Sequence, residues 1–297
     1  MESERFRSKT EHLVPALVDG CTLAALQSTP DHPDAVHPPR PQLDERREYL
    51  PRARQEEFIV PLLRSAVEGA IEAAAANRTR NAQPHTPPRA LDVGCGGQPF
   101  RAQIERLNFT YFSADTQAQP GTTLDAVWAV DEPVPAALAD LSNSNAHTGF
   151  DLILCTEVLE HVLDWPAAWA NLHRLLAPGG RLIITCPHVY PLHEEPYDFW
   201  RPTPYALRRF ADRFGFVVIE QRQLGDGFDV LGTINAACTP EQASRGPVAC
   251  LIAAAARKCR KLHHRALRSR TLRTLLTPRS KLYLSNFIVL TKPDDAA

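Results

Sequence analysis

From Ala90 onward the chain alternates short apolar runs of β character with stretches of helical periodicity, and no other feature restricts its fold as much. The runs are Ala90–Val93, Thr110–Ala114, Ala126–Trp128, Asp151–Cys155, Arg181–Cys186, Phe216–Gln221 and Asn286–Thr291. Strands separated by helices pair in parallel, so the pattern predicts an α/β architecture: one seven-stranded sheet with helices on both faces. Two helices have readable ends. Asp164 can cap one that has Pro166 in its first turn and Pro178-Gly179-Gly180 behind it, and Thr203-Pro204 opens another that Gly215 closes. Upstream, Ile59, Leu62, Leu63, Ala66, Val67, Ala70, Ile71 and Ala74 form one apolar helical stripe that must lie against something.

Proline and cysteine set the limits around this core. Eleven of the 26 prolines fall in the first 90 residues, Ser28–Pro41 has no apolar periodicity, and Gln83–Arg89 is a proline-rich linker. The expectation is a partly disordered arm over residues 1–53 with a helix after it. A single domain then occupies 54–297, with its core at 90–223 and 283–292 and a helical insertion at 224–282. The seven cysteines are scattered without Cys-x-x-Cys spacing, which excludes a disulfide scaffold or zinc ribbon and fits a reducing cytoplasm. Met1–Gly20 has no apolar segment, and the longest apolar run, Val248–Ala256, has nine residues against the roughly 20 of a spanning helix. The expected location is therefore cytoplasmic.

Glycine is scarce, at 14 residues, yet three fall in Leu91-Asp92-Val93-Gly94-Cys95-Gly96-Gly97 at the end of the first run. Such a loop lets backbone approach a ligand at the carboxyl end of a strand. A dinucleotide fingerprint needs its third glycine at position 99, which is Pro99, so a pyrophosphate is not the expected ligand. Asp115 ends the second run, where a carboxylate can accept both hydroxyl protons of a ribose. A nucleoside without a pyrophosphate fits.

Leu91–Gly97, Asp115, Asp151–Val162 (DLILCTEVLEHV) and Ala177–Ile184 (APGGRLII) together resemble the class I S-adenosylmethionine-dependent methyltransferases, with a methyltransferase type 11-like domain. The likeness covers roughly Ala90 to Gln223 and the last strand, and it implies a Rossmann-like seven-stranded sheet whose last strand is antiparallel. It implies S-adenosyl-L-methionine as cofactor, held by Asp92, Gly94, Cys95, Gly96, Gly97, Asp115, Thr116, Asp131, Thr156 and Glu157. Asp92 and the glycine backbone would take the methionine end and Asp115 the ribose. Thr156 and Glu157 would face the methyl group. Asp131 would stand in for an adenine-binding Asp that is replaced here by Ala129. Pro187–Leu207 resembles a bacterial subgroup found with glycan or secondary-metabolite pathways.

Methyl transfer from a sulfonium is an in-line displacement governed by alignment, so few side chains are diagnostic. For a hydroxyl acceptor, the loop after the fifth run offers His188, His193, Glu194 and Asp198 as bases, with His193 favoured and His188 second. The competing role for Glu194, Asp198 and Arg201 is to pair with one another and hold the loop as a lid. Glu157, Glu160 and His161 share one face if helical, similar to a divalent-metal site in ubiquinone-pathway and small-RNA 2′-O-methyltransferases, which His188 or His193 would complete. The expectation adopted is a site without metal.

The insertion holds eleven Lys/Arg and no Asp or Glu from Arg245 to Lys281, in a chain of net charge −1. A solvated helical face, an anionic-surface patch and nucleic-acid binding all remain open there. The third lacks aromatics for base stacking, Tyr283 standing alone at the margin. The resemblance implies O-methylation of a small molecule or glycan, in a secondary-metabolite or cell-surface polysaccharide pathway. Nucleic acid is not the expected partner, and peripheral contact with a membrane surface through the basic insertion is. The alternatives are a metal-dependent RNA 2′-O-methyltransferase and a non-catalytic binding module.

Overall fold

The structure is a computed structural model that describes residues 49–78, 87–142, 149–239 and 246–293. Most of the expected arm (1–48) and part of the linker (83–86) lie outside the described residues. In chain order the elements are α1 (Val60–Arg78), β1 (Arg89–Val93), α2 (Arg101–Arg106), β2 (Thr110–Asp115), β3 (Ala126–Val127), α3 (Ala136–Ser142) and β4 (Phe150–Thr156). A single 3-10 turn (Leu159–His161) precedes α4 (Trp165–Leu175), β5 (Leu176–Pro187), α5 (Pro204–Arg213) and β6 (Val217–Leu224). α6 (Gly227–Ala237), α7 (Pro247–Leu267), α8 (Arg270–Leu275) and β7 (Ser285–Thr291) complete the chain.

The seven strands form one sheet in the order β3-β2-β1-β4-β5-β7-β6. The pairs among β1 to β5 are parallel, and β7 runs antiparallel to both β5 and β6. Strand order reverses between β1 and β4, the switch point at which open α/β sheets bind ligands beyond their carboxyl ends. Alternate residues of each central strand serve opposite faces. Leu152 and Leu154 pack with Val67 and Ile71 of α1, whereas Ile153 and Cys155 pack with Trp169 and Leu172 of α4. The stripe read in α1 thus finds its partner on the sheet.

The helix ends agree with their sequence signals. The Asp164 carboxylate accepts from Ala167 N at 3.0 Å with Pro166 next to it, and Thr203 Oγ1 accepts from Ala206 N at 3.3 Å with Pro204 next to it. β5 starts at Leu176 instead of Arg181, because Phe150 pairs with Leu176 across a register shift in β4. That pairing joins residues far apart in sequence and leaves no local mark. Trp169 is fully buried against Phe210 and Phe216. Trp169→Ala should cost about 3–5 kcal/mol, measured by denaturant unfolding.

Candidate active site

The loop after β1 is held open by backbone that only glycine adopts easily. Gly94 has φ +67°, and a Cβ there would lie 2.3 Å from Val158 Cγ2, just past β4. Gly94 N and Cys95 N both donate to Ala114 O of β2, at 2.8 and 3.3 Å. Gly96 (φ +50°) donates its N–H to Asp115 Oδ2 at 2.9 Å, while Thr116 N donates to Asp115 Oδ1 at 2.7 Å. The acidic end of β2 and the glycine loop therefore form one unit, with the Asp115 carboxylate at the switch point. Gln98 follows at φ +58°, a conformation costing a side-chain residue about 1–2 kcal/mol. Its amide holds that turn by donating to Thr123 O at 2.7 Å and accepting from Arg101 at 3.1 Å.

Beneath the loop, Asp92 is buried and accepts from the Tyr111 hydroxyl at 2.9 Å. Burial pushes its carboxyl from the ordinary 3.8 up to about 7, with the Tyr111 hydrogen bond opposing and the Asp115 charge adding to the rise. A cationic amine arriving above it would restore its charge. Beside Asp115, an open cavity of about 420 Å³ is lined by Thr116, Val127, Trp128, Ala129, Glu132, Pro133 and Pro135. Its mixture of a flat aromatic, prolines and one carboxylate suits a nucleobase. Asp131 is not among these lining residues; its carboxylate accepts from Asp164 N at 3.4 Å, and Glu132 occupies the rim instead.

At the end of β4, Thr156 is buried and Glu157 takes φ +52°. Glu157 N donates to Thr185 O and Oγ1, both at 3.1 Å, and its carboxylate accepts from Ser285 Oγ at 3.1 Å. This corrects the expected helical face of Glu157, Glu160 and His161. The segment makes only a 3-10 turn over Leu159–His161, and contacts from β5 and β7 turn Glu157 away from the other two.

In its place the proline-rich loop after β5 brings His193. One ligand atom from each of Glu160, His161 and His193 lies within 4.8 Å of the others. His161 Nδ1 donates to Tyr197 O at 2.8 Å, which leaves Nε2 facing the carboxylates, 3.7 Å from Glu160 Oε1 and 3.7 Å from Glu194 Oε2. His193 Nε2 stands 4.0 Å from Glu160 Oε1, and its Nδ1 is 3.2 Å from Asp198 Oδ2. Arg201 clamps Asp198 in a two-pronged pair at 2.5 and 2.6 Å. Burial raises the Asp198 carboxyl, but Arg201 and the His193 N–H outweigh it and hold the group below the usual carboxylate range. The loop is tied down further where Phe199 N and Trp200 N donate to Glu160 O at 2.8 and 3.2 Å. Of the three residues expected to pair, Asp198 and Arg201 do so, while Glu194 faces His161. His188 has other contacts: Nδ1 donates to Pro202 O at 3.0 Å, and the ring stacks on Tyr283 at 4.3 Å.

The profile of the family described as "Methyltransferase domain" matches residues 66–221 of this chain. The chain belongs to that family and is a class I S-adenosylmethionine-dependent methyltransferase in fold. Among curated proteins it is 35% identical over 101 residues to the ubiquinone biosynthesis O-methyltransferase of Caulobacter sp. (strain K31), covering 32% of this chain and 39% of that protein. It is 29% identical over 154 residues to the human mitochondrial ubiquinone biosynthesis O-methyltransferase, covering 48% and 39%. The chain thus matches about two fifths of the length of these relatives. A crystal structure of a SAM-dependent methyltransferase from Archaeoglobus fulgidus aligns at 15% identity and TM-score 0.42, over 75% of this chain and 94% of that one.

Two outcomes follow from the loop. Asp115→Ala should weaken S-adenosylmethionine binding about ten- to a hundredfold in calorimetry, the worth of charged hydrogen bonds to a ribose, and unchanged affinity removes Asp115 from that role. Asp92→Asn should gain stability over the wild type with rising pH. Folded Asp92 keeps its proton up to about 7 and unfolded Asp92 loses it near 3.8, so the burden of the buried charge grows between those values. Denaturant unfolding should show the gain about 2 kcal/mol larger at pH 8 than at pH 5.

Proposed function

We propose that the protein transfers the methyl group of S-adenosylmethionine to an oxygen of a small molecule or glycan, in the cytoplasm. The observation that carries this reading is the His193–Asp198 pair, half-buried within the loop after β5 and close to Glu160 and His161 at the carboxyl edge of the sheet. The relatives named as O-methyltransferases support an oxygen acceptor and, by their names, a small molecule of quinone type. Free cysteines among the described residues, with the Cys155 and Cys186 thiols pushed up by burial, support a reducing setting.

In this reading the glycine loop, Asp92, Cys95, Gly97 and Thr116 seat the cofactor, with Thr156 and Glu157 at the transfer centre and Asp131 or Glu132 beside the base. The acceptor oxygen attacks the sulfonium methyl in line, the C–S bond breaks, and S-adenosylhomocysteine leaves as a neutral thioether. The acceptor proton passes to His193 Nε2, while Nδ1 donates to Pro191 O at 3.3 Å, the Asp198 carboxylate lies beside it and accepts from the His193 backbone N–H, and Arg201 holds Asp198. His188 lies behind Tyr283 as a wall of the acceptor space. The segment Pro187–Pro204 selects the acceptor.

A second reading rests on the three-residue cluster. Two imidazole nitrogens and a buried carboxylate are a donor set that fits a divalent cation, and the fixed tautomer of His161 presents the correct nitrogen. Glu160, His161 and His193 would hold such an ion, which would lower the pKa of an acceptor hydroxyl bound to it. His193 would then be a ligand and not a base.

His193→Gln should lower kcat about a hundredfold or more with cofactor affinity unchanged, read from a methyl-transfer assay on phenolic and glycosidic acceptors. Full activity in that variant contradicts the base. Activity lost to a chelator and restored by a divalent cation selects the second reading, and magnesium-dependent turnover of RNA moves the acceptor class.

A further inference from the structure

We propose that α7 is an interfacial helix that seats this protein on a bilayer surface bearing anionic headgroups. α7 runs for 21 residues, and its side chains divide into three stripes. The inner stripe, Ala253, Ala256, Arg260, His264 and Leu267, is half-buried or buried. It is anchored where Arg260 donates to Ala236 O at 3.1 Å, where His264 Nε2 meets Glu57 at 3.2 Å, and where Arg268 pairs with the same carboxylate. The helix is thus fixed to α6 and to the segment before α1.

The second stripe is apolar and faces outward. Val248, Leu251, Ile252, Ala255, Leu262 and Ala266 recur at i, i+3, i+4, i+7, i+14 and i+18, which aligns them along one side of an α-helix. All are exposed, Val248 by 69%, Leu251 by 71%, Ile252 by 63% and Leu262 by 55%. The third stripe lies beside it and is basic: Arg257, Lys258, Lys261, Arg265 and Arg268, all exposed. Exposed Leu275, Leu276 and Leu282 follow, interspersed with Arg279 and Lys281.

An apolar stripe of this length needs a cover, and the charge beside it identifies one. From Arg245 to Lys281 there are eleven Lys/Arg and no Asp or Glu, in a chain whose net charge is −1. A second copy docked through the same face would bring two such cationic stripes together. Nucleic acid would meet the cations and leave the leucines uncovered, with no Phe, Tyr or Trp on the helix to stack a base. An anionic bilayer satisfies both stripes: acyl chains take Val248, Leu251, Ile252 and Leu262, and headgroup phosphates take the lysines and arginines. The helix lies along the surface. Among the described residues no helix is long and apolar enough to cross a membrane.

Vesicle sedimentation of the full chain tests this with phosphatidylcholine vesicles containing or lacking phosphatidylglycerol. Binding should be at least about tenfold stronger to the anionic vesicles and should weaken with added salt. Leu251→Glu with Ile252→Glu should reduce it about tenfold or more, as should Lys258→Glu with Lys261→Glu. Ile219→Glu, which charges an exposed apolar side chain on β6, should leave binding unchanged. Circular dichroism confirms that each variant is folded. Failure of the wild type to bind anionic vesicles overturns the proposal, as does binding indifferent to both α7 double variants. A dimer in ultracentrifugation that Leu251→Glu dissociates, without vesicle binding, assigns the face to a second copy.

Discussion

The carboxyl edge of the sheet depends on the absence of a side chain at Gly94. Val158, just past β4, fills the space where a Cβ would stand, and in doing so brings β4's exit against the loop after β1. The same close approach lets Gly94, Cys95 and Gly96 direct their N–H groups at Ala114 O and the Asp115 carboxylate, so one contact aligns the ends of β1, β2 and β4. The glycine loop, the Asp115 carboxylate and the entry to Glu157 are positioned together. The other components of the site are attached to this frame.

The second attachment is the loop after β5, rich in proline and held by polar contacts. The Glu160 carbonyl receives two N–H groups from Phe199 and Trp200, and Trp200 Nε1 donates to Val162 O at 2.8 Å. Asp198 sits under the loop with Arg201 on one side and His193 on the other. Asp198 in turn accepts from the His193 backbone N–H, and the His193 ring is held at Nδ1 by Pro191 O, the setting in which the proposed base would act. In the proposed reading, glycine marks the cofactor end of the site and proline the end facing the acceptor.

The strands were legible because their signal is local: short continuous apolar runs, buried at successive positions on a sheet with two covered faces, set between helices with caps such as Asp164 and Thr203. The glycine loop was legible for the same reason. Glu157 was not, since its direction is set by Thr185 and Ser285, the latter 128 positions away. The beginning of β5 depends on Phe150 pairing with Leu176, a similar long-range decision. Asp226 and Asp229 form a capping box for α6 that the sequence did carry in Asp-x-x-Asp, so that helix start was open to detection. In α7 the sequence reads as apolar and then basic, whereas helical geometry sets the two characters side by side. His193, one of the two histidines the sequence offered beside Glu160 and His161, joins them through the path of the loop, which spacing alone did not distinguish from His188.

In the proposed reading S-adenosylmethionine sits at the switch point between β1 and β4, with its ribose at Asp115. Hydrogen–deuterium exchange with and without S-adenosylhomocysteine tests this directly on the full chain. Slower exchange is expected at Gly94–Gly97, at Thr116 and along Val127–Glu132, with the α7 amides unchanged. Ligand present in excess with no protection in the Gly94–Gly97 loop would contradict that reading.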